Sequence, residues 1–177
     1  PNQDWIVDNG WAWHPWGSVE SWNLTNWLHR NPWESESGST RKTLAGRAYY
    51  WDGPLCWVDD ATVAVWGWGS DAEWLLPAVV LFDVRLGHQL RWFAGPQARS
   101  PRAWPPKKLA PSLFFDQYLF SVHDEHGTGV WDIDSGERLL LEPSLMPIHY
   151  HSGSHEFLSR SNDGVRLSRL GQREPKS

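Results

Sequence analysis

The chain has 177 residues, 40% of them hydrophobic, with a formal net charge of −5, 15 tryptophans and a single cysteine. This length and apolar content suit one soluble domain, and the lack of any run of eighteen apolar residues excludes a membrane-spanning helix. Cys56 alone cannot form an intrachain disulfide, the negative balance disfavours nucleic acid, and no basic segment leads into an apolar core, so a cytoplasmic protein is expected.

Helical periodicity is scarce, and the chain reads from its start as short strands bounded by Gly, Pro, Asp or Asn. The segment from Trp5 to Gly17 aligns without a gap on that from Trp57 to Gly69, matching at both end tryptophans, one Asp, one Ala and the final Gly. A polar connector follows the first of these, over residues 35–46. Strands are expected over Thr62 to Trp68, Ala78 to Val84, Leu113 to Val122 and Arg138 to Leu141, which are rich in β-branched and aromatic residues. Between the second and third of them, Pro101, Pro105, Pro106 and Pro111 forbid regular pairing over residues 97–111. The whole divides into one domain over residues 1–170, with units at about 4–34, 54–96, 111–143 and 147–170, and a polar tail at 171–177.

A second repeat carries a mechanism. Leu81-Phe82-Asp83-Val84-Arg85-Leu86-Gly87-His88-Gln89-Leu90 reappears as Val130-Trp131-Asp132-Ile133-Asp134-Ser135-Gly136-Glu137-Arg138-Leu139. The shared pattern predicts a strand, a tight turn with Gly at positive φ, and a return strand. A degenerate copy at Ser21-Trp22-Asn23-Leu24-Thr25-Asn26-Trp27-Leu28 lacks the Gly, and a fourth copy is placed at Gly164 to Leu170. The aromatic spacings, 60 residues from Trp22 to Phe82 and 49 from Phe82 to Trp131, are close to the period of a propeller blade with loop insertions.

The run Gly129-Val130-Trp131-Asp132-Ile133-Asp134-Ser135-Gly136-Glu137 resembles the closing signature of a WD-repeat β-propeller blade. The stretches from Tyr50 to Trp57 and from Asn9 to Trp16 are similar to WD-repeat-like proteins of a degenerate bacterial branch. No Gly-His dipeptide precedes the blades in the family's usual way, so the family's Asp and His network is not implied. The resemblance implies an all-β, β-propeller-like array of about four antiparallel blades, part of a larger ring. The fourth unit has room for only three strands, so a partner protein, a second chain or self-association is expected to complete that ring.

Trp5, Trp22, Trp57, Trp92 and Trp131 are expected to fill the wedges between blades. Trp13, Trp16, Trp68, Trp74 and Trp104 fall at strand ends or in loops. The turns holding His14 and Trp16, then Trp68 to Trp74, then His123 to Gly127 should gather on one rim, so His14, Trp16, Trp68, Trp74, His123 and His126 are the candidate partner-binding residues. His149, His151 and His155, with His123 and His126, supply potential metal ligands, but their two regions occupy different kinds of position and the His-Glu-x-x-His pattern is absent; no metal site or cofactor is assigned. Phosphate-cradling and nucleophile motifs are missing, and Asp59, Asp60, Asp124 and Glu125 read as turn carboxylates that bond their own backbone. The reading is a noncatalytic interaction scaffold, with a carbohydrate-binding or glycoside-processing propeller and a metal-dependent enzyme as the alternatives.

Overall fold

The computed structural model describes residues 4–48, 53–70, 75–98, 112–161 and 164–169. The described residues form an all-β protein of four antiparallel sheets, each a meander in chain order. Sheet I holds β1 (Trp5–Trp13), β2 (Trp16–Asn23) and β3 (Lys42–Ala48). Sheet II holds β4 (Leu55–Trp57), β5 (Thr62–Trp68), β6 (Leu76–Asp83) and β7 (His88–Ala94). Sheet III holds β8 (Leu113–Phe115), β9 (Leu119–His123), β10 (Gly127–Trp131) and β11 (Arg138–Glu142), and sheet IV holds β12 (Pro147–His151), β13 (Glu156–Ser161) and β14 (Gly164–Ser168). Two short helices, α1 (Leu24–His29) and α2 (Glu34–Ser37), lie between β2 and β3. No helix among the described residues is long and apolar enough to cross a membrane.

Side chains alternate across a strand, so a continuous apolar run must be covered on both faces. Sheet II meets that requirement. Val63, Val65, Val80, Phe82 and Val84 share a core with Val19 and Leu44 of sheet I. On the other face, Ala64, Trp66, Val79, Leu81 and Phe93 share a core with Leu113, Leu119 and Trp131 of sheet III. The opposite face of sheet III packs Phe114, Phe120, Val122 and Val130 on Phe157 of sheet IV. The sheets therefore stack in the order I, II, III, IV. Cross-sheet bonds lock the stack: Ser21 Oγ donates to the Val84 carbonyl at 2.6 Å, and buried Arg47 donates to the Trp66 and Gly67 carbonyls at 2.7 and 2.9 Å.

The Asp-to-Gly hairpin forms as the sequence predicts. Asp83 Oδ1 accepts from the backbone N–H of Arg85 and Leu86, and Asp132 Oδ1 from those of Asp134 and Ser135. Each turn closes on a glycine at positive φ, Gly87 at 73° and Gly136 at 74°, whose N–H bonds back to the aspartate carbonyl. Asn23 occupies the equivalent place in sheet I and accepts from the Asn26 N–H at 2.9 Å. Trp27 stands where the glycine would be, an L side chain disfavours the left-handed turn, and the chain continues right-handed into α1.

That change has a packing consequence. Trp22, Phe82 and Trp131 face the preceding side of their sheets, and among the described residues no sheet precedes sheet I. The helical insertion stands there instead: Trp22 is only 8% exposed and meets Trp27 edge-on at 5.9 Å. Buried Glu34 anchors the insertion by accepting from the N–H and hydroxyl of Thr40 at 2.7 and 2.6 Å. These hydrogen bonds hold its carboxyl below the usual carboxylate range.

Several expectations are corrected. The polar connector at 35–46 contains part of α2 and most of β3, so the first unit runs to Ala48 instead of residue 34, because Leu44 and Ala45 pack into the core shared with sheet II. The strand expected over Leu113 to Val122 is two strands joined at Asp116. The ungapped tryptophan repeat does not match equivalent places: Trp5 lies in β1 but Trp57 in β4. Ile6 pairs with Trp22 and Val63 with Phe82, so Ile6, not Trp11, corresponds to Val63. Trp92 does not fill a wedge; it is 45% exposed at the edge strand of sheet II. Trp74, Trp104, the prolines of 101–111 and the tail at 171–177 lie outside the described residues.

Hydrogen bonds from Arg85 and the turn backbone lower the Asp83 carboxyl. A depressed folded-state value means that this contribution is present above the ordinary carboxylate range and lost as pH falls through the folded value. Asp83→Ala is expected to destabilise the fold by about 1–2 kcal/mol at neutral pH, and the difference from the parent should shrink in acid, as measured by urea melts at pH 7 and pH 3.

Candidate functional site

The turns after β1, β5 and β9 fall on one end of the stack. The first is His14 and Pro15, joined by a cis peptide, between the paired Trp13 and Trp16. Trp16 also pairs with Ala48, whose N–H donates to the Ser70 carbonyl at 2.7 Å, and this ties the β1–β2 turn to the β5–β6 turn. At the same end Gly95, which follows β7, shares a cleft with His123, Glu125 and His126 of the β9–β10 turn. His14, Trp16, Trp68, His123 and His126 lie at or beside these turns; Trp74 lies outside the described residues.

The rim is apolar at one side and ionisable at the other. Trp11, Trp13 and Trp16 are 58%, 66% and 47% exposed. Trp68 and Trp92, both partly exposed, stack with ring centroids 4.6 Å apart. Trp92 and Trp11 are exposed indoles that sequence reasoning missed: the strand position of Trp92 predicts a wedge, although edge strands leave one face open.

A cleft of about 460 Å³ has Ser121, His123, Glu125, His126, Trp131 and Arg138 in its lining. Within the lining, the Trp131 indole N–H donates to Ser121 Oγ at 2.9 Å and the Arg138 guanidinium lies over the ring, 5.9 Å from its centroid. His123 and His126 stack nearly parallel, with centroids 4.5 Å apart. The Glu125 N–H donates to His123 Nδ1 at 3.1 Å. The turn closes on Gly127 at φ +79°, pressed so closely against Glu142 and Pro143 that no Cβ fits.

A second cleft, of about 370 Å³, lies along the first strands of sheets II, III and IV, with Trp57, Asp59, Phe115, Asp116, Tyr150 and Ser152 in its lining. His155, at positive φ, places Nδ1 2.6 Å from Asp116 Oδ2. Burial and the Asp116 carboxylate push the Tyr150 phenol above its ordinary range. No spacing in the sequence could pair His155 with Asp116, which lies 39 residues away. Asp59 is committed to its own turn, accepting from the Ala61 and Thr62 N–H groups, as expected of a turn carboxylate. Cys56 packs against the core between sheets II and III, and burial pushes its thiol up to about 12, which suits a structural thiol and not a nucleophile.

His149 and His151 lie exposed on β12, His151 bonded to Ser154, and His155 turns toward Asp116, so these three imidazoles are not gathered. Gly127→Ala is expected to destabilise the fold by at least about 1 kcal/mol and to separate the His123 and His126 rings, which thermal melting and histidine NMR shifts would register. Compared with known proteins, the chain matches no family model and is similar to no curated protein.

Proposed function

We propose that this chain is a noncatalytic interaction scaffold built from WD-repeat-like blades, which binds another protein through its Trp- and His-bearing rim. The carrying observation is the set of exposed indoles, Trp11, Trp13 and Trp16, on the same end as Trp68 and Trp92. Indole offers flat apolar area with a polar edge and loses little side-chain freedom on binding, so an exposed group of them favours a protein partner. The propeller reading draws support from the chain-order meanders, the stacking of consecutive sheets and the recurring Asp-to-Gly hairpin. Completion of a ring by a partner or second chain draws support from sheet IV, which has three strands among the described residues and leaves Val165 and Leu167 exposed.

The test is proximity labelling in the native host with the parent chain and with Trp13→Ser/Trp16→Ser. A defined set of neighbours lost from the variant is the expected result. Identical neighbours in both, or quenching of indole fluorescence by a member of a glycan panel without any protein neighbour, would overturn the reading in favour of the carbohydrate alternative. Light scattering of the purified chain then distinguishes self-association, expected as a mass that rises with concentration, from completion by a different protein.

A further inference from the structure

We propose that His123, Glu125 and His126 form a binding site for a divalent transition-metal ion of the zinc class. The site stands independently of the rim's reading as a protein-binding surface. Among the described residues these are the one group of three candidate ligands whose donor atoms all lie within 4.8 Å of one another. A tetrahedral ion with bonds of about 2.0–2.1 Å sets its ligand atoms about 3.4 Å apart, so binding would draw the exposed Glu125 and His126 side chains in toward half-buried His123.

The fold prepares this arrangement. His123 ends β9 and pairs with Gly127 at the start of β10, so the three ligands project from one turn held by strands at both ends. Gly127, at φ +79° and with no room for a Cβ against Pro143, fixes the path of the chain just after His126. The two rings stack nearly parallel, 4.5 Å apart, and His123 Nδ1 accepts from the Glu125 N–H, so His123 would bind through Nε2 and the neighbouring His126 ring would turn out of the stack to meet the same ion. The sequence pattern His-x-Glu-His is neither a helical zinc motif nor a paired-cysteine motif, and only the turn geometry brings its three donors together.

Chemistry selects the ion. Two imidazole nitrogens and one carboxylate oxygen match zinc, nickel or copper, whereas magnesium and calcium demand oxygen-rich sets. Three protein ligands leave a coordination position open, and all three line the cleft that Trp131 and Arg138 also line. The open position is therefore accessible to water or to an anionic group, with the Arg138 guanidinium in the same cleft.

The experiment is isothermal titration of the untagged full chain with zinc chloride and, separately, magnesium chloride. The parent is expected to bind one zinc ion per chain saturably and to show no saturable heat with magnesium. His123→Ala/His126→Ala should weaken zinc at least about tenfold, while His149→Ala/His151→Ala leaves it unchanged. Circular dichroism establishes that each variant is folded, and if the double variant at the turn is not, Glu125→Gln serves in its place with a several-fold loss expected. Absence of saturable zinc binding by the parent, undiminished binding by the turn variants, or loss of binding in His149→Ala/His151→Ala would each overturn the proposal.

Discussion

Burial of both faces of sheet II is the constraint on which the rest of the structure depends. Its strands β5 and β6 are apolar at consecutive positions, so neither face tolerates water, and a lone sheet of this kind would be unstable. Sheet I and sheet III supply the two covers. Their own far faces then need partners, which sheet IV supplies for sheet III and the helical insertion supplies for sheet I. The stacking order follows from this chain of coverings, each step forced by the apolar face that the previous one leaves.

The ends of the stack are where function becomes visible. Hairpin turns cannot be covered by a neighbouring sheet, because stacking protects faces and not ends. The rim thus concentrates side chains whose exposure the core does not require: indoles on the β1–β2 hairpin, the Trp68 and Trp92 pair, and the stacked imidazoles of the β9–β10 turn. Rigid strands below hold these groups in fixed relation, which lowers the ordering cost of binding. The same rigidity would serve both the proposed protein-binding surface and the proposed metal site, which share His123 and His126 on one rim.

Local signals in the chain were reliable where local physics decides. Thr62 to Trp68 is a strand with the predicted limits, and the Asp-to-Gly turn appears at both of its clear copies because an aspartate acceptor and a positive-φ glycine need only each other. Its degenerate copy contained a further signal: Asn23 as a cap, with Leu24, Trp27 and Leu28 at helical spacing, announces α1. The tryptophan repeat misled, since identical residues at a constant offset were set in strands of different rank. Strand register, which relates Ile6 to Val63, depends on pairing partners far along the chain.

The amino-acid sequence by itself determined the all-β class, the hairpin turns and the gathering of His14, Trp16, Trp68, His123 and His126 at one kind of turn, because alternation, turn chemistry and repeat order are local properties. Only the tertiary structure decided which tryptophans are exposed, since Trp22 and Trp92 both lie in strands and differ only in what covers them. It alone joined His155 to Asp116 and set the His123 and His126 rings side by side with Glu125. Exposure and side-chain geometry are set by neighbouring sheets and by the fixed path of a closed turn, and residue identity along the chain does not specify either.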